Sequence, residues 1–154
     1  MGKLRVTAEP NSPFITMTRE FNAPADKVFK AYTDPEVVKM WFGGHKAETK
    51  VETYDARRGG SWRMVQKGDD GEYAFRGVFH EVKPNDHITW TFEYEGVPDH
   101  VCLETISFTE KDGKTQLKTQ SVFQSVEDRD GMVQSGMEEG ANEGMDILAE
   151  LVEN

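Results

Sequence analysis

Glu104 is the acidic residue whose place in the sequence raises a chemical question. Within Val101–Thr109 it shares parity with Ile106 and Phe108, so on a strand it projects inward with them. An inward carboxylate is costly unless it is paired or protonated. Arg19 shares parity with Met17 and Phe21 in FITMTREF and faces the same interior. Glu104 is therefore expected to pair with Arg19 or another cation, or to orient the polar head of a ligand. A bulge in the strand would instead turn it to solvent.

Few other residues offer chemistry. His100 and Cys102 are two apart and would lie side by side on a strand, but nothing supplies an oxyanion hole. Cys102 thus reads as an inert, partly buried thiol. His45, His80, His87 and His100 are scattered without ligand spacing, so neither a metal nor a cofactor is expected. There is no GxGxxG after a strand, no P-loop and no GxSxG elbow. No catalytic residue is assigned. A cyclase or hydrolase of a polyketide-like substrate would have to rely on Glu104 alone.

A pocket is better supported than a reaction. Trp62 and Met64, Phe75, and Trp90 and Phe92 fall on the apolar faces of three successive strands, with Trp41 a candidate for the mouth. Facing them, the last helix carries Met137, Ala141 and Met145 beside Gly140 and Gly144. Each mid-helix Gly costs ~1 kcal/mol against Ala, which asks either for close backbone approach or for room left to a guest. Methionines can repack around varied ligands. The ten residues expected to line a cavity are Trp41, Trp62, Met64, Phe75, Trp90, Phe92, Glu104, Met137, Ala141 and Met145.

The elements that hold these residues follow from periodicity. Residues 1–13 contain Pro10 and Pro13 and read as a flexible arm; 14–154 read as one domain. Phe14–Phe21 alternates as a strand. Two short helices follow, broken at Asp34-Pro35 and ended by Gly43-Gly44. Six more strands are expected over 47–53, 61–67, 72–82, 87–94, 101–109 and 115–123, joined by Gly/Asp/Asn turns. Val133, Met137, Ala141, Met145, Leu148, Leu151 and Val152 then mark the apolar side of one long helix over 126–152. The fold class is α+β, with an antiparallel sheet of about seven strands wrapped around that helix.

With 28 Asp+Glu against 18 Lys+Arg, the net charge of −10 disfavours phosphate backbones and anionic bilayers, so nucleic acid and membrane insertion are not expected. One cysteine permits no internal disulfide, and no stretch resembles a signal peptide or a span; a cytoplasmic location is expected. Subunit number is left open between monomer and homodimer.

Several local motifs carry a family resemblance. They are Arg19-Glu20-Phe21-Asn22-Ala23-Pro24 leading into Val28-Phe29, then Thr33-Asp34-Pro35 and Trp41-Phe42-Gly43-Gly44. Gly59-Gly60-Ser61-Trp62-Arg63, Gly77–Pro84, Thr91–Tyr94 and Gly136–Gly140 complete the set. In this order the chain resembles the START-like (SRPBCC, Bet v 1-like) helix-grip superfamily, in the bacterial branch similar to the activator of the heat-shock protein 90 ATPase. The resemblance implies a helix-grip fold, binding of a small hydrophobic molecule, and as an alternative a chaperone-associated interaction module. Fold-level likeness does not supply chemistry that the residues lack.

Overall fold

A computed structural model describes residues 2–45 and 47–154. The elements are β1 (Arg5–Thr7), β2 (Phe14–Phe21), α1 (Ala25–Thr33), α2 (Pro35–Trp41), β3 (Glu48–Tyr54), β4 (Ser61–Gly68), β5 (Gly71–Lys83), β6 (His87–Tyr94), β7 (Val101–Lys111), β8 (Lys114–Val122), α3 (Val126–Gln134) and α4 (Met137–Val152). All eight strands form one antiparallel sheet in the order β1-β2-β8-β7-β6-β5-β4-β3. Strands β3 to β8 are a meander, and β2 closes onto β8 from the other end of the chain. The β7–β8 hairpin turns at Asp112 and Gly113, both at positive φ (55° and 77°), the conformation that matches strand twist.

Two expectations are corrected here. The segment read as a flexible arm contains β1, whose Val6 pairs with Met17 of β2, so the sheet has eight strands rather than seven. The single helix over 126–152 is two helices. Gly136 adopts φ 85°, a left-handed conformation that ends any α-helix, and Ser135 closes α3 by donating from its Oγ to the Met132 carbonyl at 2.6 Å. The break turns Val133 outward, where it is 42% exposed, although its spacing places it on the apolar side.

Strand alternation settles which side is covered. Ile15, Arg19 and Phe21 of β2, Trp62 and Met64 of β4, Ile88 and Trp90 of β6, and Ile106 and Phe108 of β7 are buried on the inner face. The outer face carries ion pairs instead: Arg76–Glu93 at 2.9 Å, Arg63–Glu95 at 2.8 Å, and Arg63–Glu52. The inner-face rings interlock, with Trp62 and Trp90 stacked at 4.6 Å. The Trp62 indole N–H donates to the Thr91 carbonyl at 3.2 Å, and any Cβ on Gly77 would strike both groups. Glycine at 77 is therefore needed for a close approach.

Helix α4 lies across the inner face through Met145, Leu148, Ala149 and Val152. At ~1.5 Å per residue its 16 residues span about 24 Å. Its docking is fixed by Arg19, which donates from β2 to Asp146 at 2.7 Å, and by the Asn22 N–H donating to Glu153 at 2.9 Å. Asp34 caps α2 by accepting from the Glu36 N–H at 2.9 Å, and Trp41 anchors the same helix by donating to the Ala31 carbonyl at 2.9 Å. Where α2 meets α4, a Cβ at Gly144 would lie 2.8 Å from the Trp41 carbonyl. Of the two reasons a glycine could sit there, close approach is the one observed.

Gly140 meets nothing within 4 Å, so the two helix glycines should respond oppositely to alanine. Gly140→Ala is expected to stabilise the fold by about 0.5–1 kcal/mol through helix propensity. Gly144→Ala should lose that gain and cost about 1 kcal/mol or more through overpacking against α2. Urea melts of the two variants would show it, and equal gains at both positions would disprove the close packing.

Candidate functional site

Helix α3 is pinned at two places. Arg129, 3% exposed, donates to the Phe14 carbonyl at 3.1 Å and to Asp130 at 3.0 Å, tying the helix to β2. Asp128 lies 2.8 Å from Nδ1 of His100, in the loop between β6 and β7. Ser125 caps the helix by accepting from the Asp128 N–H at 3.0 Å. Beneath the helix lies a partly open hollow of about 1060 Å³. Its sheet wall is Tyr73 and Phe75 of β5, Phe92 and Tyr94 of β6, Cys102 of β7, and Phe123. The opposite wall is α3 itself, through Val126, Gly131 and Met132, with Glu127, Asp128 and Asp130 at its polar edge.

Of the ten residues expected to line a cavity, Phe75 and Phe92 lie in this wall. Trp41, Trp62, Met64, Trp90 and Met145 are packed into the solid core beneath α4. Met137 and Ala141 are half-buried on the first turns of α4, outside the lining of this hollow. The hollow sits under α3, whereas the sequence places it under the middle of the final helix. Tyr73, Tyr94, Cys102, Phe123, Val126, Gly131 and Met132 are wall residues absent from the ten. Parity did put Tyr73 and Tyr94 on the correct face; what it could not show is the helix break that leaves them uncovered.

Glu104 does face inward. It keeps some accessible surface, yet lies deep enough among its neighbours that burial pushes its carboxyl above the ordinary range. Hydrogen bonds from Ser121 Oγ at 2.7 Å and the Trp90 indole N–H at 2.9 Å oppose that shift without cancelling it. Arg19 is not its partner, being turned to Asp146; no cation contacts Glu104 among the described residues. Tyr32, also raised, owes this first to burial and then to the nearby Glu104 charge. Two residues along β7 from Glu104, burial and then that same charge push the Cys102 thiol up to about 12. It stays protonated at neutral pH and is no nucleophile. The His100 imidazole engages Asp128, and that hydrogen bond raises its pKa.

No group of three or more His, Cys, Asp or Glu among the described residues could hold a metal ion. None of the helices described is long and apolar enough to cross a membrane. Hydrogen-bond donors and acceptors at the edge of an apolar hollow can orient an amphipathic guest.

Residues 22–153 match the family described as Activator of Hsp90 ATPase homolog 1-like protein. The chain belongs to that family. No curated protein matches it significantly. Among solved structures, Ms6760 from Mycobacterium smegmatis is 25% identical, with a TM-score of 0.87 over 96% of this chain and 94% of its own. CV1439 from Chromobacterium violaceum is 25% identical, with a TM-score of 0.83 over 92% and 98%. A Staphylococcus epidermidis protein is 26% identical, with a TM-score of 0.81 over 96% and 93%. These solved structures thus share the fold of this chain along almost their full lengths.

Two measurements test the electrostatics. A carboxyl whose folded pKa is raised contributes stability that is full below the unfolded carboxyl range and is lost as pH rises through the folded value. Glu104→Gln should remove that loss, whereas Glu104→Ala, which strands the Trp90 and Ser121 donors, should cost about 1–3 kcal/mol. Stability curves from pH 4 to 8 that decline equally for wild type and Glu104→Gln would refute the assignment. For His100, NMR titration of the imidazole should show its pKa dropping toward the ordinary value in Asp128→Asn. No movement would mean that the contact to α3 does not form in solution.

Proposed function

We propose that this protein binds a small hydrophobic or amphipathic molecule in the hollow beneath α3. The observation that carries the reading is the pairing of a continuous ring wall with a covering helix held near its N-terminal end by Asp128 and Arg129. Phe75 lies 5.3 Å from Phe92 and 5.4 Å from Tyr94, centroid to centroid, so the wall is continuous across β5 and β6. A volume of about 1060 Å³ is at the upper end of the range typical of ligand pockets. Covering ~400 Å² of apolar ligand surface is worth on the order of 10 kcal/mol before ordering costs, which leaves room for micromolar affinity.

Glu104 is the polar group that a guest reaching past Cys102 would meet, and in its protonated form it donates a hydrogen bond. A chaperone-associated role, as the family's description suggests, would use the outer surface and does not compete with an occupied interior. The ring wall and the lid favour the binding reading.

The uncharged fluorophore N-phenyl-1-naphthylamine is expected to bind saturably, at one per chain and in the micromolar range. A Cβ on Gly131 meets nothing within 4 Å, and this residue borders the hollow, so Gly131→Trp can fill it without a clash. That variant should keep the wild-type melting behaviour and lose at least about tenfold in affinity. Non-saturable binding, or full affinity in Gly131→Trp, would remove the reading.

A further inference from the structure

We infer that the molecule taken into this hollow is a cationic amphiphile, its tail against the ring wall and its ammonium at the α3 edge. The inference rests on the binding reading above and adds the charge of the guest. The charge at the edge of the hollow is one-sided. Glu127, Asp128 and Asp130 border it from α3, and among the described residues the only basic group in the lining is His100, already engaged by Asp128. Arg129 lies on the same helix but is buried against β2, bonded to Asp130 and the Phe14 carbonyl, and is not part of the lining. Glu127 makes no hydrogen bond or ion pair among the described residues, so its charge is free to meet a guest.

The wall supports the same sign. Tyr73, Phe75, Phe92 and Tyr94 form a run of rings with neighbouring centroids 5.3–6.1 Å apart, tilted by 37–40° to one another. Ring faces carry negative potential and attract ammonium groups, most strongly where water is thinned out. A carboxylate or sulfate head would meet the Glu127 charge and the ring faces, while His100 and Arg129 offset Asp128 and Asp130 only in part. A neutral head would gain from neither. Within the hollow, then, apolar burial sets the affinity and the sign of the head group sets the selection.

Three eight-carbon amphiphiles with heads of different charge separate the two levels: octyltrimethylammonium, octyl glucoside and octanoate, titrated calorimetrically below micelle formation at neutral pH. Octyltrimethylammonium should bind at one per chain, about tenfold tighter than octyl glucoside, with octanoate weaker than both. Raising the salt should shrink the first ratio, because the edge carboxylates are exposed. Glu127→Gln should narrow the ammonium-to-glucoside ratio about two- to threefold, and Tyr94→Leu should narrow it further. Tetramethylammonium, which has no tail, should not saturate, since general attraction to an acidic protein gives no one-to-one site. Equal affinity for ammonium and glucoside heads, or preference for octanoate, overturns the charge selection while leaving the hollow a binding site. If none of the three binds, the binding reading itself falls.

Discussion

The inner face of an eight-stranded sheet has to be covered, and the apolar helix available to cover it is too short. That mismatch organises the rest of the molecule. Helix α4 seals the middle with Met145, Leu148 and Val152, α1 packs on β7 and β8 with Tyr32 against Phe108, and α2 packs on β3. What remains uncovered, the ends of β5 and β6 and the Cys102 end of β7, falls to α3, which a left-handed residue at Gly136 sets apart from α4. Had the helix run straight through Gly136, Val133 would lie on the sealed side; instead it is exposed.

The polar residues of the interior divide along the same line. Arg19 and Asp146 join sheet to helix where packing is tight, and the aspartate remains exposed enough to keep most of its hydration. Glu104 has only neutral donors, Trp90 and Ser121, and burial raises its carboxyl above the ordinary range despite them. The described interior thus holds two buried arginines, Arg19 and Arg129, paired with carboxylates that reach solvent, and one carboxyl whose pKa burial raises. On the outer face the pairs Arg63–Glu95 and Arg76–Glu93 are more exposed and screened, and they serve solubility and register more than stability.

Much of this was legible in the residues. Period-two alternation located seven of the eight strands and put Trp62, Phe75, Trp90, Phe92 and Glu104 on the inner side, because a buried face has to repeat every second residue. Asp34-Pro35 and Gly43-Gly44 marked the helix ends through local stereochemistry alone. Strand β1 was not legible: three residues ahead of two prolines carry no pattern, and their pairing comes from β2. The helix break was missed because apolar spacing continues through Gly136, and a glycine within a periodic run is compatible with either a helix or a stop. That single ambiguity moved the hollow from α4 to α3. The partner of Arg19 depends on how α4 is rotated over the sheet, which no local rule fixes.

The pairing of β2 with β8 also orders events in time. Every strand from β4 to β8 can pair with the one made just before it, but Phe21 must wait for Thr115. At the usual ~5–20 residues per second of translation, that interval is on the order of 5–20 s. Throughout it, Ile15, Phe21 and the apolar side of α1 have no sheet to lie against. The nascent chain therefore presents a sticky amphipathic segment long before its template exists, and closing that distant pair is the slow, entropy-limited step of assembly.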